Sequence, residues 1–200
     1  MTSATQEPSN DWHRLATASS VVDAVAHHVG DLIQLRAEDL PEWLTRLGVP
    51  AGWRLARFDG NGIQPSRIAV CSRQPHGGEY GCETISVFGF TGIPPVEVVH
   101  DNVDRTLRDL HADDITTQTL ATPQTPGVAA TRSSGYFHAA GLRVWGQYST
   151  YLGGSDLPAQ GRLIQHSVFI ESGCRAMRTA GITQLTDSVH HAFLTALETS

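Results

Sequence analysis

Two cysteines and a histidine stand close together in the first half of the chain: Cys71, His76 and Cys82, spaced C-x4-H-x5-C. Thiolates and imidazoles are the ligands zinc prefers, but a structural zinc site takes four of them, commonly as C-x2–4-C pairs. The spacing here matches no such pair, and Cys174 joins only through folding. The plainer reading is two hairpin thiols and a loop histidine. In an oxidising compartment, two cysteines at adjacent strand ends are also placed for a disulfide. A cysteine nucleophile needs a nearby histidine and a lowered pKa. The chain has His 10, yet none stands beside a cysteine in a recognised motif.

Other motifs that would carry chemistry are missing. His27-His28 and His190-His191 are consecutive, so on a helix they point about 100° apart and chelate one ion badly. Gly153-Gly154-Ser155-Asp156 does not spell the G-x-S-x-G nucleophile elbow. Gly77-Gly78 and Gly81 lack the following helix that a phosphate cradle requires. All of the Lys+Arg 14 are arginine, which excludes a Schiff-base or P-loop lysine. The expectation is therefore no catalytic residue, no metal ligand and no cofactor.

Strand positions are more suggestive. Arg132, Ser134, Tyr136 and His138 alternate along one apolar-polar stretch. Trp145, Gln147 and Tyr151 share one face of the next, with Tyr148 on the other, and His166 lies in a third. Arg132, Tyr136, His138, Trp145 and His166 form the candidate ligand-binding set, with Arg132 as an anchor for an anion or carboxylate. The competing reading is a sheet face turned to solvent, which is ordinarily polar.

These residues need a scaffold. A disordered lead-in is expected over 1–18 and a helical extension over 19–48, from Val21 to about Val29 and from Ala37 to Leu47. Gly30 and Gly48 stand as stops. From Val49 to the end an α+β domain is expected. Its strands are Arg54–Phe58, Arg67–Ser72, Glu83–Phe90, Ile115–Ala121, Val128–His138, Leu142–Tyr151, Arg162–Glu171 and Cys174–Ala180, the last pair joined at Ser172-Gly173. Val96, Val99, Val103, Leu107 and Leu110 make the stripe of one helix, and a last helix runs from about Gln184 to Leu197. Strands in runs with few helices argue for an antiparallel sheet, not a βαβ fold.

Composition narrows the function further. A net charge of -6 excludes a basic nucleic-acid binder. No run reaches the roughly 18 apolar residues of a membrane span. The first ten residues have no basic or apolar signal region, so a cytoplasmic location with reduced thiols is expected.

The layout from Val49 onward resembles the PsbP-like family, which takes in photosystem extrinsic proteins, Mog-type proteins and LpqN-type proteins. The resemblance rests on Val49-Pro50-Ala51-Gly52-Trp53, on Val87-Phe88-Gly89-Phe90 before the 96–110 helix, on the hairpin from Gly135 to Tyr151, and on Ser172-Gly173 with the closing helix. It implies a central curved antiparallel sheet packed by helices, and a protein that binds partners without chemistry of its own. It supplies no catalytic residue. The helices before Val49 align with no counterpart in it. The expected function is thus a non-enzymatic binding or adaptor protein that uses an exposed sheet or helix face on a protein partner. A small molecule held around Arg132, His138 and His166 is the alternative, and a homodimer is a further form of partner.

Overall fold

The computed structural model describes residues 18–57, 64–72 and 79–198. The expected lead-in up to residue 17, the turn at 59–62 and His76 lie outside the described residues. The chain runs α1 (Val21–Ala26), β1 (Gly30–Gln34), α2 (Glu42–Arg46), β2 (Trp53–Leu55), β3 (Arg67–Ser72), β4 (Glu79–Thr91), α3 (Glu97–Asp101), α4 (Arg105–Asp109), β5 (Asp113–Thr119), β6 (Val128–Ala139), β7 (Leu142–Gly153), β8 (Gly161–Glu171) and α5 (Arg175–Glu198).

Among the described residues the strands form an 8-stranded antiparallel sheet, ordered β2-β3-β4-β8-β7-β6-β5, with β1 pairing β4 off that path. This is the α+β class expected. Helices cover both faces. On one, Ile182, Leu185, Val189 and Phe193 of α5 pack against Trp53, Ala69 and Ile170 and against Ile85, Tyr151 and Ile164. On the other, Val21, Val25 and Val99 meet Phe90, Ala129, Leu152 and Leu163, while Leu107 and Leu110 meet Phe137. Full burial of such side chains stabilises by about 1.5–3 kcal/mol each, which is what holds the helices to the sheet.

Four local readings change. Gly30–Gln34, between the two helices expected in the 19–48 extension, is a strand on the end of β4. It is short, mostly outward-facing and bulged, with Asp31 at φ 54, so it shows little alternation. The single 96–110 helix is two short ones. Asn102 Nδ2 donates to Val98 O at 2.9 Å, competing with the backbone there, and the path breaks between Asp101 and Arg105. Cys174–Ala180 is not a strand: Ser172–Cys174 is a 3-10 turn that leads into α5. Ala176, Met177 and Arg178 favour helix, and Gly181 sits inside α5 where the Trp53 indole packs; a Cβ would stand 3.0 Å from Trp53 Nε1. Lastly, β6 and β7 close through two residues, Ala140 (φ 51) and Gly141 (φ 77), a mirror-image turn in place of a three-residue loop.

The cysteine pair separates. Cys71 pairs with Gly81 and Val70 with Cys82, so the two thiols project from opposite faces of the β3–β4 hairpin and form no bridge with each other.

Candidate binding site

Register brings the five candidate residues onto one face of the sheet. Arg132 pairs with Ser149, Ser149 with His166, and His166 with Ile85, making one row across β6, β7, β8 and β4. Tyr136 pairs with Trp145 further along. α5 packs against β7 and β8 on this face, leaving Trp145 4% and His166 1% exposed. The solvent-facing reading therefore fails for β7 and β8, because α5 lies over them, with Ile182 and Leu185 in one cluster with Trp145 and Val189 and Phe193 in one cluster with Tyr151 and Ile164. β6 lies beyond that cover: Arg132 and Tyr136 are half-buried and His138 is exposed.

The five divide into two groups. At a strand rise of about 3.3 Å per residue, Tyr136 stands about 13 Å along β6 from Arg132. The inner group contains Arg132 and His166, and it recruits residues the sequence did not single out. His166 Nε2 lies 3.2 Å from Glu83 Oε1, and Arg67 Nε donates to Glu83 Oε2 at 3.3 Å. Arg67 also donates to the carbonyls of Leu47 at 2.5 Å and Gly48 at 3.0 Å, tying the end of α2 to the sheet. Burial pushes the Glu83 carboxyl up, but His166 and then Arg67 outweigh it and hold it below its ordinary value.

Ser149 is the centre of the inner group. Its Oγ accepts from Arg132 Nε at 3.1 Å. Gln147 and Tyr151 flank it on the same face of β7. The Tyr151 ring lies 5.8 Å from the His190 ring and 5.2 Å from Phe193, both on α5. Burial raises the Tyr151 phenol. Burial, and next the charge of Arg132, lowers His190.

The outer group is cationic and aromatic. The Arg175 guanidinium lies 4.6 Å from the centre of the Trp145 ring and 5.9 Å from that of Tyr136, and it donates to the Tyr136 hydroxyl at 3.2 Å. Arg143, the register partner of His138, lies 4.7 Å over the same Tyr136 ring and pairs with Asp113 at 2.7 Å. Arg178 donates to the Tyr80 hydroxyl and lies over its ring. Two arginines in the first turns of a 24-residue helix oppose its dipole, and the aromatic faces offset that cost.

Two open grooves lie elsewhere. One of about 890 Å³ runs between Ile93–Val96 and the 119–130 loop; another of about 740 Å³ lies among Leu40, Leu44, Leu55 and Arg67. The five candidate residues line neither. Among the described residues no three His, Cys, Asp or Glu gather as metal ligands, and no helix is long and apolar enough to cross a membrane. Glu83 was legible in principle: it alternates with Ile85 and Val87 at inward positions, where a carboxylate requires a cation. Arg175 was hidden by its assignment to a strand.

No family model matches the chain, and neither does any curated protein. Among solved structures it is similar to the crystal structure of LpqN, involved in cell envelope biogenesis of Mycobacterium tuberculosis. The TM-score is 0.55 at 13% sequence identity, over 87% of this chain and 94% of that one. That likeness is one of fold. Its share of this chain exceeds the span from Val49 to the end, so it extends into the segment holding α1, β1 and α2.

Proposed function

We propose that this protein is a non-enzymatic accessory protein that binds a protein partner through the outer group, at the strip formed by His138, Tyr136, Arg143 and Arg175. One observation carries the reading. Arg175 is exposed, and its contacts are Tyr136 and Trp145; among the described residues no carboxylate lies within ion-pair distance of it. On a chain with a net charge of -6, a cation held ready on an aromatic platform suits an acidic segment of a partner. The inner group supports the same reading. Glu83 and His166 are each 1% exposed and tied to each other, an arrangement that braces the sheet beneath the strip. The fold's likeness to a protein involved in cell envelope biogenesis is compatible with an accessory role.

The test is affinity enrichment from cell extract with the wild type, Arg175→Glu and, as control, Arg46→Glu on the far α2. A partner retained by the wild type and the control but lost with Arg175→Glu supports the reading. Turnover of a small substrate by the wild type, with no capture that depends on Arg175, overturns it.

A further inference from the structure

Ser149, 0% exposed, has a short side chain, and the four residues around it have long polar ones. Arg132 and His166 are its partners on the neighbouring strands; Gln147 and Tyr151 lie on either side of it along β7. α5 lies over this side, with Val189 packed in one cluster with Tyr151 and Ile164 and the His190 ring against Tyr151. Several of these groups are left unanswered. Gln147 Nε2 and His166 Nδ1 are buried and close no hydrogen bond, and the Tyr151 hydroxyl leans on both Arg132 and Ser149. Gln147, Tyr151 and His166 are 8%, 0% and 1% exposed. A buried polar atom without a partner is costly, so two within one ring of side chains mark a place built for an occupant.

The chemistry of that occupant follows from the atoms. The Gln147 amide nitrogen offers N–H groups. The Ser149 hydroxyl already accepts from Arg132, so its proton is available to donate, and Tyr151 offers a further O–H. Arg132 is a cation with no carboxylate in ion-pair distance among the described residues. The glutamate of the row, Glu83, is occupied by Arg67 and His166. Donors on Gln147, Ser149 and Tyr151, with the Arg132 guanidinium, therefore gather on one side of Ser149, while the exposed Asp187 of α5 acts on Tyr151 and His190 from the other. We propose that this ring binds a small oxyanion, either a free ion or the phosphate or carboxylate end of a larger ligand, entering past half-buried Arg132 from the β6 side. This goes beyond the partner strip and is independent of it.

The probes are sodium phosphate, sodium sulfate and sodium acetate, titrated by calorimetry and by thermal melting against sodium chloride at matched ionic strength. The expected result is a saturable rise in Tm with at least one oxyanion, weakened tenfold or more in Arg132→Gln and clearly reduced in Tyr151→Phe, and unchanged in Arg46→Gln. Tyr151→Phe removes one oxygen only, so it keeps the proposal testable if Arg132→Gln fails to fold. A methyl phosphate ester that competes with inorganic phosphate identifies the end of a larger ligand; rejection of the ester identifies the free ion. An equal rise in all variants, which is the general salting effect, or a crystal grown in phosphate that shows only water at Ser149, overturns the proposal.

Discussion

Glu83 and His166 meet at 3.2 Å beneath α5, although they are not register partners: Glu83 stands opposite Val168, and His166 opposite Ile85. The contact is a diagonal across β4 and β8, the geometry that long side chains use between adjacent strands. It leaves the second carboxylate oxygen for Arg67 on β3, so one buried acid joins three strands.

Removing that acid leaves a buried cation unmatched. Glu83→Gln is expected to lower stability by about 3–5 kcal/mol, the usual effect of breaking one side of a buried ion pair. Urea denaturation of variant and wild type measures it, and a loss under 1 kcal/mol would show that Arg67 and His166 do not depend on Glu83.

Acid should act through the same residue. The folded-state pKa of Glu83 lies below its ordinary 4.5, so its contribution is complete above that value and disappears as pH falls through the lowered one. Asp109 acts in the same direction: Ser19, whose hydroxyl donates to it and whose backbone N–H donates at 2.9 Å, holds it below its ordinary 3.8. Melting curves from pH 7 downward should therefore begin to decline as pH passes about 6.5, because burial holds His190 below its ordinary 6.5 in the folded state, and should drop further below about pH 4.5. Glu83→Gln should flatten the drop, and an unchanged profile in that variant would count against the assignment.

The β6–β7 turn carries avoidable strain. Ala140 adopts φ 51, where a Cβ costs about 1–2 kcal/mol, and it stands first in a mirror-image turn that prefers Asn-Gly. Ala140→Asn, followed by the existing Gly141, should raise stability by about 0.5–1 kcal/mol, seen as an upward shift in Tm. A lower Tm would show that the strands do not end where this turn requires.

Gly181 is a second structural point in α5. Any side chain there meets Trp53, itself 6% exposed, and Pro50. Gly181→Val should destabilise by about 1–3 kcal/mol and change the tryptophan fluorescence, even though valine is the better helix former. Unchanged fluorescence would argue against the packing of Trp53 on α5.

Much of the sheet was legible because its strands carry buried residues on alternating positions. Arg67–Ser72 was read with its observed bounds, and the other β3–β8 strands within a few residues at each end. What escaped lacks a one-dimensional signature. β1 is edge-like and bulged, and the first turns of α5 carry arginines and glycine where an apolar stripe would be sought. Strand parity puts Arg132, Tyr136, His138, Trp145 and His166 on one face of the sheet. Their division into a covered and an open group depends on how far α5 reaches, which no local pattern in 174–183 encodes. Glu83 and Ser149 became visible only once register was known, because their neighbours are distant in sequence.

The sheet order has a kinetic side. β8 is made after every other strand yet takes its place between β4 and β7. Until it emerges, the first-made strands and the β5–β6–β7 meander have no ladder joining them, and β4 presents its long edge to any passing chain. A ribosome must therefore pass Glu171 before the layers can close, and such late, non-local pairing favours slow refolding with an aggregation-prone interval.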